Sequence, residues 1–408
     1  MAPPVSPRPT DLHPSLGASL SGTNLERAGD HNQRVMLQAI RVSGPVTRAE
    51  LATVTGLTAP AIANITKRLL NDGLVMEVGR LHGARGQPAM RLAINPDGCF
   101  SIGVNIDRDH VTVVLLDLLG QVRHRATLEV DFPLPDAVAT FFKEQMDGLL
   151  GGGAFPNDRI VGIGVAMPDD LARVNLPNRP DSYDAWNSVD VARLFANTLP
   201  LPVFLENDAA AAALGELQFG HGLRDPSFFY ILVSRGLGGG MVIDGQYFRG
   251  AQGRSGEIGF LPVSSPRTLA KSLQEAVSLS ALFAFLAGHG RTVTQPDQLA
   301  ELDAAGQALV DQWLDLAAEL LASPIIAVSC LVNPEAVFLG GRLPTAQLDR
   351  LAQLIARRLE AFAGAIPVIA PVHRAATAMD APAVGAAILP FNDRLLPSRA
   401  ALMKTSAT

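Results

Sequence analysis

The spacing of apolar positions changes several times along the chain, and each change marks an element. Met36, Leu37 and Ile40 recur at helical spacing and predict a first helix that stops near Ser43-Gly44-Pro45. Thr47-x-x-Glu50 has the form of a capping box, opening a short second helix with Leu51 and Val54 inward. Gly56 fits the left-handed residue that closes it. Thr58 is placed to cap a third helix whose Ile62, Ile65 and Leu69 face a core. Alternation then takes over. Leu74, Met76 and Val78, then Met90, Leu92 and Ile94, predict two strands with one face on the helices. Helix, glycine turn, helix and hairpin amount to a winged helix-turn-helix over 29–96. Residues 1–28, rich in Pro, Ser and Gly, are expected to form a flexible leader.

From Cys99 the pattern becomes α/β. Strands are expected at Cys99–Ile106, Val111–Asp117 and Gln121–Val130, then a helix at Asp136–Leu149 and a buried strand at Ile160–Met167. Pro202–Leu205 reads as a strand running into Glu206-Asn207-Asp208 and a helix over Ala209–Gln218. The sequence of elements repeats: strands at Phe228–Ser234 and Gly240–Ile243, helices, then strands at Ala336–Leu339 and Val368–Pro371. Two such halves predict a duplicated α/β domain over 98–392 with a ligand cleft between its lobes, and a C-terminal tail over 393–408.

Composition narrows the classes. The 408 residues are 48% hydrophobic and 18% charged, which excludes global disorder and asks for more than one core. Two cysteines, Cys99 and Cys330, exclude a disulfide framework and any multi-cysteine metal site. The N-terminus lacks an apolar signal core, and the uncharged stretch Leu320 to Val332 is too short to span a bilayer. A cytoplasmic protein with no membrane partner is the expectation. Charge adds an asymmetry: the net charge is −6, yet residues 31–95 carry +5. A basic head on an acidic body points to a polyanion partner.

The outward face of the third helix carries Thr58, Ala61, Asn64, Lys67 and Arg68. A small first turn followed by an amide and cations suits a major groove, although an ordinary solvated face would look the same. The hairpin segment Gly79 to Pro88 favours DNA. Its glycines and its Arg80 and Arg85 make an arginine-tipped wing, and Arg91 follows on the second strand.

Several segments of the second domain resemble the ROK family, which groups sugar kinases and sugar-responsive repressors on an actin-like, ribonuclease H-like duplicated ATPase fold. Pro202 to Glu216 resembles the segment around that family's catalytic aspartate, and Arg235 to Gly240 its second phosphate loop. Gly253 to Gly259 resembles the sugar-contacting segment. Asn333-Pro334 with Leu339-Gly340-Gly341 resembles the nucleotide-side turn, and Asp380 to Ala386 the closing helix. A preceding winged helix is the arrangement of the repressor branch, of the xylose and N-acetylglucosamine type.

Departures from the family pattern bear on function. Its kinases open the first phosphate hairpin with Asp-x-Gly-Gly-Thr, whose glycines let backbone N–H groups approach phosphate. Here the turn reads Asn105-Ile106-Asp107-Arg108-Asp109, and Asp107 and Asp109 are expected to repel a triphosphate. Asp208 is then a relic of catalysis. The family's zinc site is absent too: Phe260 stands at the histidine position, and no cysteine follows through Ala276. No metal and no cofactor are expected.

The resemblance makes Asn207, Asp208, Glu257 and Glu275 the residues that hold sugar hydroxyls. Helix capping is the plain reading of Asn207 and Asp208, and Trp186 is as well suited to a core as to a cleft. The expectation is a sugar-responsive DNA-binding regulator, a repressor without enzyme activity, acting on operator DNA as a homodimer or homotetramer. The competing readings are an active sugar kinase carrying a DNA-binding extension, and a DNA-binding protein that takes no sugar.

Overall fold

A computed structural model describes residues 25–81, 89–153, 155–169, 171, 179–377 and 380–397. The chain divides into two compact units. One holds residues up to Phe100, Asp117–Leu119 and the stretch from Phe391; the other holds Ser101–Leu116 and Gly120–Pro390.

In the first unit, helix α1 (Leu25–Ser43) starts inside the expected leader, so residues 25–28 are helical. Helices α2 (Arg48–Thr55) and α3 (Ala59–Asn71) follow, with the three-stranded sheet β1–β3–β2 formed by Val46–Thr47, Ala89–Ile94 and Val75–Leu81. The capping box is present: Glu50 N–H donates to Thr47 Oγ1, and Glu50 Oε2 accepts from Thr47 N–H. Gly56 closes α2 with φ of 69°, a conformation that would strain a side chain. Met36, Leu37, Ile40, Leu51, Ile62, Leu69 and Leu92 form the core.

Three local expectations need correction. Val54 is 65% exposed, because the two-turn α2 buries only Leu51. Thr58 occupies the N-cap of α3 without a side-chain bond; its carbonyl accepts from Ile62 N–H instead. Leu74 lies in the turn that ends α3, donating to Leu69 O, so the inward phase of β2 begins at Val75 and leaves Met76 40% exposed. Residues 393–397, the described start of the expected tail, are held to α1. Arg34 donates to the carbonyls of Asp393 (2.7 Å) and Leu396 (3.3 Å), satisfying acceptors that a helix end leaves open.

Among the described residues, the second unit contains two five-stranded sheets with the same strand order. The first is β6–β5–β4–β7–β8: Val122–Glu129, His110–Asp117, Phe100–Ile106, Ile160–Met167 and Val203–Asn207. The second is β11–β10–β9–β12–β13: Gln246–Tyr247, Leu237–Ile243, Phe228–Val233, Ala336–Gly341 and Val372–Arg374. Central strands are buried on both faces and read as unbroken apolar runs. The last strand lies beyond the expected Val368–Pro371. Val368 is 56% exposed, and pairing begins where Pro371 O accepts from Val337 N–H.

The helices of this unit are α4 (Pro135–Gly151), α5 (Val191–Ala196), α6 (Asp208–Phe219), α7 (Leu273–Ala276), α8 (Leu279–Gly288), α9 (Ala304–Leu331), α10 (Thr345–Glu360) and α11 (Ala381–Arg394), the last running on past Pro390. At 28 residues, with an 18-residue stretch of mean hydropathy 1.8, α9 is long and apolar enough to cross a bilayer, beyond what its uncharged stretch suggested. It serves as a core helix: Trp313, Leu314, Ala317, Leu321 and Ile325 pack in the second lobe. Asp315 and Glu319 on its outer side pair with Arg267 and Arg358.

Backbone contact fixes the helix that carries Asp208. A Cβ on Gly385 would fall 1.6 Å from Ala211 O, so α11 and α6 touch main chain to main chain. Gly385→Ala is therefore expected to lower stability by about 1–3 kcal/mol, the cost of overpacking a filled interior. A urea midpoint unchanged from wild type would contradict this packing.

Candidate functional site

A pocket of about 590 Å³ opens in the second unit, within the range of about 300–1,000 Å³ that holds small ligands. Its walls come from the start of α6, the β9–β10 turn, the segment around Glu257, and α7 with the start of α8. Asn207, Asp208, Glu257 and Glu275 all line it, although they lie far apart in sequence.

Each of the four also has a local partner. Asn207 Oδ1 accepts from Ala209 and Ala210 N–H groups, capping α6. Asp208 is buried, and its Oδ1 accepts from Ala209 N–H at 2.8 Å. Burial, then the neighbouring Asp107 charge, push the Asp208 carboxyl up to about 7, against the opposing pull of Arg108. Glu257 accepts from Arg254 Nε at 3.0 Å. Glu275 accepts from Lys271 N–H at 2.8 Å, and that bond holds its carboxyl below the usual range. The neighbouring Glu206 is turned elsewhere, 2.5 Å from Arg249. Trp186 belongs to the core: it is 6% exposed, and its Nε1 donates to Pro133 O.

Sequence reasoning missed the arginines and serines of this region. Arg108, Arg235 and Arg254 line the pocket, as do Asp169, Gln274, Ser278 and Ser280. Phe260, at the expected histidine position, stands on the rim and is 62% exposed. A benzyl group there offers no metal-ligating atom, and residues 261–276 supply neither Cys nor His, so the segment does not fit a zinc ion.

Asp107, Arg108 and Asp109 form the turn where a kinase would hold phosphate. Repulsion of a triphosphate, the expectation from sequence, is not how this turn works. Asp109 is 4% exposed and fully engaged. Its Oδ1 accepts from His110 Nδ1 at 2.7 Å, and its Oδ2 accepts from Arg235 Nε at 3.2 Å and Arg342 Nη1 at 3.0 Å. The same guanidinium groups reach further acids: Arg235 donates to Asp131 at 2.8 Å and Arg342 to Glu129 at 2.6 Å. Burial alone would raise the Asp109 pKa; the His110 bond and the attraction of His110, Arg342 and Arg235 outweigh it and hold the carboxyl at about 2. Asp107, Asp109 and His110 are close enough to share a cation, but two guanidinium groups already neutralise that cluster.

Arg108 of this turn lines the large pocket, and a second, small space lies beside Asp107. The space lined by Asn105, Asp107, His110, Gly341 and Arg342 has a volume of about 10 Å³, at the lower limit of about 10–15 Å³ for one water.

In the first unit, Asn64, Lys67 and Arg68 are exposed on α3 beside Thr58, with Ala61 half-buried. They form one outward face. Arg68 lies 4.0 Å from Asp30. Arg91, expected to contact DNA, donates through Nε and Nη2 to Pro45 O, bracing β3 to the chain before β1. Arg80 is in β2, and Arg85 lies outside the described residues.

A family profile described as ROK family matches residues 101–392. The chain belongs to the ROK family. An uncharacterized protein, y4fQ, of Sinorhizobium fredii is 29% identical over 88% of this chain and 90% of its own length. The xylose repressor of Bacillus subtilis is 28% identical over 57% of this chain and 60% of its own. Among solved structures, a ROK family transcriptional regulator described as a homologue of the E. coli MLC protein is 19% identical. It covers 90% of this chain and 98% of its own, with a TM-score of 0.66, and so shares the fold.

The acid limb of stability tests the Asp109 assignment. Its folded pKa lies below the ordinary value of 3.8, so its stabilisation is complete above about 4 and is lost as pH falls toward about 2. Asp109→Asn is expected to lower stability at pH 7 and to flatten the acid limb over that interval, measured by urea unfolding at each pH. An acid limb identical to wild type would contradict the assignment.

Proposed function

We propose that this ROK protein is a sugar-responsive DNA-binding transcriptional repressor whose kinase-like domain no longer transfers phosphate. The observation that carries this reading is the altered phosphate turn: Asp107 and Arg108 stand where the kinases carry glycines, and Arg342 and Arg235 are bonded to Asp109 beside them. Phosphoryl transfer depends on positioning and on stabilising charge, and little of either is available without the phosphate turn. Asp208, with its carboxyl raised to about 7, retains a proton acceptor but lacks a phosphate to act on.

The pocket supplies the complementary half. Asp208, Asn207, Glu257 and Glu275 converge with serine hydroxyls on one cavity, an acceptor-rich lining that matches a polyol. The xylose repressor relatives support a sugar effector and an operator partner. The outward face of α3 reads bases, Arg80 and Arg85 contribute cations to the DNA contact, and an even-numbered homo-oligomer matches a two-fold operator. A cytoplasmic location fits that role. Sugar acts by shifting the equilibrium between DNA-competent and DNA-incompetent states.

Two measurements test this. Asn64→Ala is expected to relax base preference at one operator position by about 1–3 kcal/mol in a binding-site selection assay. Asp208→Ala is expected to abolish the sugar response of DNA binding while leaving apo binding intact, weakening sugar by about 1.5–3 kcal/mol in calorimetry. Measurable sugar phosphorylation in an ADP-release assay with magnesium-ATP would sink the non-catalytic reading.

A further inference from the structure

The cluster around Asp109 does more than fill the phosphate turn, because its members come from different lobes. Asp109, Glu129 and Asp131 belong to the first lobe, around β5 and the end of β6. Arg235 stands in the β9–β10 turn and Arg342 directly follows β12, both in the second lobe. Four charge-assisted contacts of 2.6–3.2 Å thus cross from one lobe to the other. Both arginines are largely buried, with side chains 19% and 17% exposed.

The backbone delivers them there. Gly341 takes φ of 118°, and a Cβ on it would fall 2.1 Å from Val233 O, so glycine lets β12 turn tightly against β9. Arg342 N–H then donates to Val233 O at 2.9 Å, fixing the base of its side chain. Arg235 is anchored from the pocket side: its carbonyl accepts from Ser280 Oγ at 2.8 Å, and its guanidinium lies 5.6 Å from the Phe283 ring centroid. Arg235 and Ser280 also line the sugar pocket. One residue therefore belongs both to the pocket wall and to the contact that joins the lobes.

We propose that Arg235 and Arg342 form an ionic latch that holds the lobes closed in place of a magnesium-nucleotide, and that they are positioning residues for the sugar site. The proposal rests on the reading of that pocket as a sugar site. It gives a role to Asp109, which stands in the turn where the family's kinases carry a neutral residue. A nucleotide bridges lobes through phosphate and metal; here carboxylates of one lobe and guanidinium groups of the other supply the attraction directly. Closure is then a built-in property, and sugar binds walls that already face each other. Opening the latch reduces the fraction of closed protein, and apparent affinity falls by that fraction.

Arg342 is the residue to change, because it does not line the sugar pocket. The protein is spin-labelled at Lys143→Cys in the first lobe and Leu331→Cys in the second, both exposed, in a Cys330→Ser background. The label-to-label distance is measured by pulsed electron spin resonance, diluted with unlabelled protein. The sugar probe is whichever of D-xylose, D-glucose or N-acetyl-D-glucosamine raises the melting temperature of wild type. Arg342→Gln is expected to give a longer, broader distance distribution without sugar, which returns to the wild-type distance at saturation. Its dissociation constant for the sugar is expected to rise about tenfold, as when the closed fraction falls to about one-tenth. Arg342→Lys, which keeps the charge but loses the fork, is expected to lie between the two and serves if Arg342→Gln does not fold. A wild-type distance in the apo variants overturns the latch, and a distance change with unaltered sugar affinity overturns the positioning role. If none of the sugars binds wild type, the sugar reading of the pocket fails, while the apo distance still decides the latch.

Discussion

A carboxylate that is 4% exposed stays ionised only if its surroundings replace the water it has lost, and much of the second unit is arranged around that requirement at Asp109. Two guanidinium groups and an imidazole meet it. Because the arginines are large and held by their own backbones, they fix their strands in turn: Arg342 fixes the end of β12, and Arg235 the β9–β10 turn. The pocket wall that includes Ser280 and Phe283 follows from the second of these. Removing one partner from such a buried group costs about 3–5 kcal/mol, more than a typical surface ion pair contributes.

Much of the architecture could be read from local pattern. The capping box of Thr47 and Glu50, the left-handed Gly56 and the strand Ile160–Met167 appear where residue spacing places them, because each depends on neighbours a few positions away. The errors fall where tertiary contact overrides spacing. Val54 has helical phase but no surface to cover it, and Met76 has strand phase displaced by the turn at Leu74. The sense of the Asp107-Arg108-Asp109 turn was the larger miss. Two acids suggest repulsion when read alone, yet the partners of Asp109 lie 126 and 233 residues further along the chain. An arginine directly after Gly340-Gly341 was the available signal, and only the fold shows what it meets.

The pocket residues show a related economy. Asn207 caps α6 with its carbonyl oxygen while lining the cavity, and Glu257 and Glu275 each hold a protein donor as well as a place on the wall. The plain reading and the functional one were offered as rivals for Asn207, and the geometry accommodates both. A cap that is also a pocket wall is rigid, and rigidity lowers the entropy lost when a ligand is held.

The interdependence of the phosphate turn has a historical consequence. A hairpin of the kinase type would need glycines at 107 and 108, a neutral residue at 109 and the departure of the arginines at 235 and 342. Losing Asp109 alone leaves Arg235 and Arg342 only their more exposed acids, Asp131 and Glu129, and losing either arginine alone leaves a buried anion short of a partner. Each single reversal is thus less stable than the present state, and only several together reach a workable site. The turn behaves as a ratchet: while these charges are paired, each single step toward a glycine turn costs stability, whatever selection acts on activity.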